Sequence, residues 1–114
     1  MAGTTFQQSL GGVTTGIVAG TTQTSAGATA LTTKTNIVAT VGTTNDGVRL
    51  PLAPQNDEIM VYIAGANTAK IYPPTGGTIN GGGTDAAVTL ATTKAAKFVC
   101  TSADGLTWYE IAGA

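Results

Sequence analysis

The glycines between Ile71 and Leu90 are the first candidates for chemistry, because a glycine-rich turn can hold a phosphate. The segment reads IYPPTGGTINGGGTDAAVTL, with five glycines and one charged residue, Asp85. A phosphate loop needs a strand, a glycine turn and then a helix whose first amides face the anion. Here the residues after the glycines alternate as a strand does, and no Gly-Lys-Ser/Thr sequence is present. The segment therefore predicts turns in a β-domain, with no cofactor bound.

Side chains for acid–base or metal chemistry are few and scattered. The chain has no His and one Cys, which removes the usual general base near neutral pH and a zinc site of Cys and His. The only adjacent acidic pair, Asp57-Glu58, would point to opposite faces of a strand. Cys100 alternates with Phe98, which predicts a small buried side chain. We predict no catalytic residue, no metal ligand and no enzyme; a lysine brought beside a serine by folding is left open.

Charge and hydropathy narrow the classes of partner. Charged residues make up 10% of the chain and the net charge is -1, whereas a nucleic-acid surface needs clustered Lys and Arg. No apolar run approaches the roughly 20 residues of a transmembrane helix. The first residues, MAGTTFQQSL, do not resemble a secretory signal peptide. We therefore expect no nucleic acid, no membrane, and synthesis in a cytoplasm without secretion.

The elements that would position these residues are short strands. From Asn36 onward, apolar stretches rich in Val, Ile and Thr recur about every ten residues between turn residues, which is typical of an all-β sandwich or barrel. Asp104-Gly105 tolerates the positive φ of a tight hairpin, so the strands on either side of it are predicted to pair. We predict a small β-sandwich or barrel-like domain over residues 35–114.

Two of these strands are apolar on both faces. In EIMVYIA, Ile59, Val61 and Ile63 point one way, while Met60 and Tyr62 point the other way. In LTWYEI, alternation likewise separates the Trp from the Tyr that follows it, and neither face is polar. A domain of this size has few second layers to cover such strands. A partner subunit is the expected cover, so we predict an oligomer.

The first 34 residues have a different composition and are predicted to form an extended arm rich in Thr, Gly and Ala. Phe6, Leu10, Val13 and Ile17 fall at helical spacing, but glycines interrupt the pattern, and each interior glycine costs a helix about 1 kcal/mol relative to Ala. An extended arm anchored by Phe6, Leu10 and Ile17 fits the pattern better than a helix.

Taken in order, six segments of the chain resemble a family of small β-domains found in virion proteins of tailed bacteriophages. Each segment alone is ordinary turn-and-strand sequence, and the resemblance lies in their order and spacing. The segments are NIVATV (36–41), NDGVRLP (45–51), IAGAN (63–67), IYPPTGGTINGG (71–82), AAKFVCT (95–101) and LTWYEI (106–111).

The resemblance implies a virion structural protein without catalytic or cofactor residues. Its leading form is a head decoration, or cement, protein: a homotrimer on the capsid surface that contacts the major capsid protein and bridges its subunits. The side chains predicted to make contacts with the capsid or between copies are Phe6, Leu10, Ile17, Met60, Tyr62, Tyr72, Trp108 and Tyr109.

Two other functions remain open from the sequence. The protein could be a tail-fibre or receptor-binding module, in which Tyr72, Trp108 and Tyr109 contact a host glycan. It could also be a host-encoded β-domain scaffold with no connection to phages. The number of copies in purified virions separates the three.

Overall fold

Every regular element in residues 10–112, the part of the chain that this computed structural model describes, is a β-strand. The prediction of an all-β protein is therefore confirmed. The strands are β1 (Val13–Val18), β2 (Thr29–Ala30), β3 (Thr35–Thr40), β4 (Gly47–Arg49), β5 (Glu58–Ile63), β6 (Ala69–Tyr72), β7 (Thr78–Ile79), β8 (Val88–Leu90), β9 (Ala95–Cys100) and β10 (Thr107–Ala112).

The strands form two mixed sheets. The large sheet has six strands in the order β1-β3-β5-β9-β10-β7, and the small sheet has four in the order β2-β4-β6-β8. Up to β6 the chain alternates between the sheets, so neighbours within each sheet are parallel. Strands β8 and β9 then pair antiparallel to β6 and β5. The first half of the chain thus winds three times between the sheets, and we call each winding, with one strand in each sheet, a coil. The three coils are stacked, and strands β8 and β9 cover one end of the stack.

The three coils share a short sequence where each leaves the large sheet. The segments are IVAGTT (17–22), IVATVGTT (37–44) and IAGANT (63–68). Each has apolar residues from the strand, a glycine at the bend and small polar residues leading to the small sheet. A repeated structural unit that stacks on its neighbour commonly leaves such a repeat in the sequence.

Two of the repeated glycines are required by close backbone approaches, Gly65 between two coils and Gly20 within the first coil. A Cβ at Gly65 would lie 2.6 Å from the amide nitrogen of Val41, and one at Gly20 would lie 2.0 Å from the carbonyl oxygen of Gly27. Both distances are well inside van der Waals contact. Only glycine fits at these positions, so Gly65 allows the second and third coils to approach closely and Gly20 allows the first coil to fold back on itself.

The core lies between the two sheets and is formed by alternate residues of each strand. In β5, Ile59, Val61 and Ile63 are fully buried, as the alternation predicts. Across from them the small sheet contributes Val48 and Ile71, which are also fully buried. Burying one such side chain stabilises a fold by about 1.5–3 kcal/mol. The core is therefore the main stabilising contact between the sheets.

The predicted pairing of the last two long strands is confirmed, although its turn is longer than a tight hairpin. Strands β9 and β10 are antiparallel, with Trp108 opposite Cys100. Residues 101–106 connect them, and Gly105 has the positive φ of 80° that the sequence predicts for this turn. Ser102 Oγ and the Leu106 amide both donate to Asp104 Oδ1, at 2.5 and 3.0 Å. These bonds hold the longer loop in one shape.

The predicted boundary between an arm at residues 1–34 and a domain at residues 35–114 falls inside the fold. Strands β1 and β2 belong to the two sheets, and Ile17 and Leu31 are buried in the common core. Residues 13–34 are therefore the first coil and not an arm. The glycines that disfavour a helix here are compatible with a strand, because β1 has register shifts around Gly16, which has a φ of 70°. Residues 1–9 lie outside the described residues.

The turn Asn45-Asp46-Gly47 links the coils through a buried carboxylate. Asp46 is fully buried, and its carboxylate accepts hydrogen bonds from Gln23 Nε2 (2.5 Å) and the Thr43 amide (3.1 Å). Gln23 belongs to the first coil, so one carboxylate joins two coils. Asn45 has a φ of 78°, a conformation that Asn tolerates better than most residues.

Replacing Gly47 with Ala is expected to destabilise the fold by roughly 1–3 kcal/mol, the usual range for overpacking. A Cβ here would lie 2.7 Å from Tyr72 Cε2 and 2.9 Å from the Lys70 carbonyl oxygen. Gly42→Ala is the matched control, because its nearest neighbour, Asp46 Oδ2, is 3.8 Å away. Urea denaturation measures both. Equal midpoints for the two variants would contradict the proposed packing of Tyr72 on Gly47.

Candidate functional site

The outer face of the large sheet, which we call the contact face, is unusually apolar. Six large apolar side chains are exposed among the described residues. Four of them, Val13, Met60, Tyr109 and Ile111, lie in the continuous rows of this face, with exposures of 65, 41, 45 and 58%, and a fifth, Val18, lies at the end of β1 beyond a register shift. Sheets with one solvated face normally carry polar side chains there. The contact face consists of Val13, Thr35, Ile37, Glu58, Met60, Tyr62, Ala95, Lys97, Val99, Thr107, Tyr109 and Ile111.

Strand register places these side chains in rows across the sheet. Residues directly opposite each other on paired strands share a face and lie close enough to contact. The central row runs from Ile111 through Lys97, Met60 and Thr35 to Val13. The rows on either side of it are Tyr109–Val99–Glu58 and Ala95–Tyr62–Ile37. The apolar side chains thus form one continuous surface.

One ion pair lies within the contact face. Lys97 Nζ and Glu58 Oε1 are 3.3 Å apart, and both side chains are about half exposed, at 43 and 44%. An exposed pair of this kind contributes about 0–1 kcal/mol to stability. Its importance is chemical: it gives the apolar face one positive and one negative group and no net charge.

The backbone that carries Glu58 is held by a buried carboxylate next to it. Asp57 has a side chain that is 4% exposed, and it accepts a hydrogen bond from the Leu10 amide at 3.0 Å. Lys34 Nζ lies 3.5 Å from Asp57 Oδ1 and donates to the Glu58 carbonyl oxygen at 2.9 Å. These bonds fix the start of β5, and with it the position of Glu58 on the face.

The outer face of the small sheet has a different character. Lys70, Thr89 and Arg49 lie there, and Arg49 Nη1 donates to the Ser25 carbonyl oxygen at 2.8 Å. Tyr72 also points to this side but is only 5% exposed. Its ring covers Gly47, so it is part of the packing. The two sheets therefore differ: one outer face is polar and the other is apolar.

The structure separates the eight side chains predicted to make contacts. Met60, Tyr62 and Tyr109 lie together on the contact face. The other described residues of the set belong to the core or its margin, and one residue falls outside the described range. Ile17, Tyr72 and Trp108 are buried, Leu10 packs against the core, and Phe6 lies outside the described residues.

Trp108 is a core residue with no exposed surface. Its indole Nε1 donates to the Gly105 carbonyl oxygen at 2.8 Å, which satisfies the one polar atom of the ring. A buried indole usually has such a partner. Trp108 therefore cannot contact a partner or a glycan in this conformation, whereas its neighbour Tyr109 can.

Five apolar members of the contact face were not among the predicted contacts: Val13, Ile37, Ala95, Val99 and Ile111. Ile37, Val99 and Ile111 are found by strand register, since each lies in a row with a predicted residue. Alternation within LTWYEI already separates Ile111 from Trp108. Ile37 and Val99 can be placed on the face only when it is known which strands lie side by side, and a single sequence does not give that order.

The glycine-rich segment forms turns, as predicted from the sequence. Gly76 and Gly81 have φ values of 87° and 75°, and β7 lies between them. Asp85 Oδ1 accepts a hydrogen bond from the Gly76 amide at 2.7 Å, which closes the loop. The residues that follow lead into β8, so a strand and not a helix comes after the glycines.

Cys100 is fully buried in the core, as its alternation with Phe98 predicts. Its Sγ lies 3.4 Å from the Ser102 carbonyl oxygen and 3.5 Å from that of Ala53. Burial raises the pKa of the Cys100 thiol above its usual value, because the thiolate is poorly solvated there. A thiol held protonated and out of contact with water is a poor nucleophile.

No group of three or more Cys, His, Asp or Glu within residues 10–112 could hold a metal ion. The same residues contain no helix long and apolar enough to cross a membrane. No protein-family model, no curated protein and no solved structure matches this chain.

Cys100 is expected to be unreactive towards a disulfide reagent such as Ellman's reagent at pH 8 while the protein is folded. The same thiol should react stoichiometrically in denaturant, because unfolding exposes it and returns its pKa towards the usual value. Absorbance of the released thiolate measures both reactions. Rapid reaction of the native protein would contradict the burial of Cys100.

Proposed function

We propose that the protein is a non-enzymatic structural protein of a virion, of the capsid decoration type. The observation that carries the proposal is the contact face, an apolar surface of five strands on a domain that already has a complete core. An exposed apolar patch of this extent is typical of a surface that contacts another protein. The order of its six sequence motifs, which resembles that of phage virion β-domains, supports placing the partner in a capsid.

A decoration protein stabilises a shell by adding contact area between the shell subunits. Binding across the boundary between shell subunits stabilises the assembled state, because the added protein binds the assembly and not the separate subunits. The stacked coils suit this use, since the close backbone contact at Gly65 leaves little freedom between the second and third coils. We propose the major capsid protein as the partner, and a homotrimer as the form in which the protein binds.

The fibre or receptor-binding alternative has less support. It requires Tyr72, Trp108 and Tyr109 to present aromatic rings to a glycan, and only Tyr109 of the three is exposed. A single exposed tyrosine among aliphatic neighbours is a weaker sugar platform than a cluster of aromatic rings. The contact face fits a protein partner better.

Because residues 13–34 belong to the two sheets, the proposed arm that contacts the capsid is limited to residues 1–9. Deleting residues 2–20 would remove the whole of β1, so that truncation would test folding rather than capsid binding. Deleting residues 2–9 leaves every described strand intact and is the appropriate variant. If the N-terminal segment contacts the capsid, this deletion weakens shell binding without lowering the unfolding temperature; unchanged binding would exclude such an arm.

Copy number in purified particles tests the proposed function directly. Quantitative mass spectrometry should find this chain in numbers comparable to the major shell protein, because a decoration protein occupies the whole lattice. Shells with the bound protein should also withstand heating to a higher temperature than shells without it. A few copies per particle would instead indicate a tail or fibre, and absence from every particle would overturn the virion assignment.

A further inference from the structure

We propose that the contact face packs against the same face of a second copy of this chain, with Lys97 of one copy paired to Glu58 of the other. This inference rests on the proposed function only for its biological setting. The pairing itself follows from the sheet and can be measured on the purified protein. At the contact face itself the partner is thus a copy of the chain, and a shell would bind another surface of the associated copies.

The area of the face is sufficient for self-association. Five strands at about 4.8 Å spacing and six residues at about 3.3 Å give a surface of roughly 24 by 20 Å. Two such faces bury on the order of 1,000 Å² in total, which is about the lower limit for a specific interface. Tyr, Met and Ile are residue types suited to its buried centre. The face can therefore support reversible association.

The charges of the face are complementary to themselves. Lys97 and Glu58 are its only charged side chains, and they lie within one ion pair of 3.3 Å. If one copy is rotated by half a turn relative to the other, the direction from Lys97 to Glu58 is reversed. The ammonium group of each copy then faces the carboxylate of the other copy. A shell protein would meet this condition only with a matching pair of its own.

The sheet edges are less suitable for contact between copies. Strand addition needs a long, regular edge with free backbone groups. The edge strands β2, β7 and β8 have two, two and three residues. The remaining edge strand, β1, has six residues, but its register shifts near Gly16 interrupt the regular spacing. The face is therefore the larger uninterrupted surface.

A mixing experiment distinguishes pairing between chains from the pair within one chain. Lys97→Glu alone leaves two carboxylates on each face, and Glu58→Lys alone leaves two ammonium groups. Like charges brought together in an interface oppose association. Each variant alone should associate at least about tenfold more weakly than the natural chain. A 1:1 mixture of the two should recover most of the lost affinity, because their faces are then complementary.

Analytical ultracentrifugation and mass photometry of the free protein provide the readout. The double variant Lys97→Glu/Glu58→Lys should self-associate like the natural chain, since its face again holds one charge of each sign. Circular dichroism must show that all variants are folded. If the natural chain is a monomer at micromolar concentration, or if the mixture associates no better than its components, the inference is overturned.

A second pair of variants tests the apolar part of the face. Met60→Lys puts a charge at the centre of the central row and should shift the protein to its monomer. Thr89→Lys places the same charge on the outer face of the small sheet and should leave association unchanged. Equal effects of the two substitutions would contradict the assignment of the face.

Shell binding, measured separately, distinguishes this inference from the proposed function. A monomeric Met60→Lys variant that still binds shells supports the face as the contact between copies. A natural chain that is monomeric, and that loses shell binding on Met60→Lys, assigns the face to the capsid and overturns the inference while leaving the proposed function intact.

Discussion

The structure depends on burying one set of alternate side chains between two sheets of unequal width. The inner face of the large sheet carries Phe98, Trp108 and the three isoleucine and valine residues of β5, all fully buried. A chain of 114 residues has material for one such core. No further layer among the described residues covers the outer face of the large sheet. The apolar side chains of the contact face therefore remain exposed in a single copy.

The stacking of coils explains why the sequence is so rich in small residues. Parallel strands that return through a second sheet bring successive bends into contact, and glycine is needed where backbones come within 3 Å of an added Cβ. Buried polar side chains then join neighbouring coils. Asn36 donates through Nδ2 to the carbonyl oxygens of Thr33 and Met60, at 3.0 and 3.2 Å. Such bonds fix the register between strands as well as adding stability.

Local patterns in the sequence predict local structure well in this protein. Alternation in residues 58–63 separates the buried side chains from the exposed ones, and Asp104-Gly105 marks the turn between β9 and β10. The order of strands in each sheet is not a local property, because a single sequence does not say which strands lie side by side. The glycine-containing repeat of the three coils is the signal that would have placed residues 13–34 in the fold.

The candidate site was predictable in part for the same reason. Met60, Tyr62 and Tyr109 follow from alternation once the buried face is known. Trp108 and Tyr109 are both aromatic and adjacent, so composition alone does not say which of them faces the core. Tyr72 points outward from the small sheet, yet Gly47 leaves room beneath its ring. That contact joins residues 25 positions apart, and only the folded chain brings them together.

We expect the contact face to be covered when the protein is in its working assembly. Hydroxyl-radical footprinting, followed by mass spectrometry, measures the solvent access of individual side chains and can be carried out over a dilution series. Met60, Tyr109 and Ile111 should become less reactive as the protein associates, while Leu52, which is 51% exposed elsewhere on the surface, should remain equally reactive. Association that leaves Met60 and Tyr109 as reactive as in the monomer would show that the contact face stays exposed and is not the contact surface.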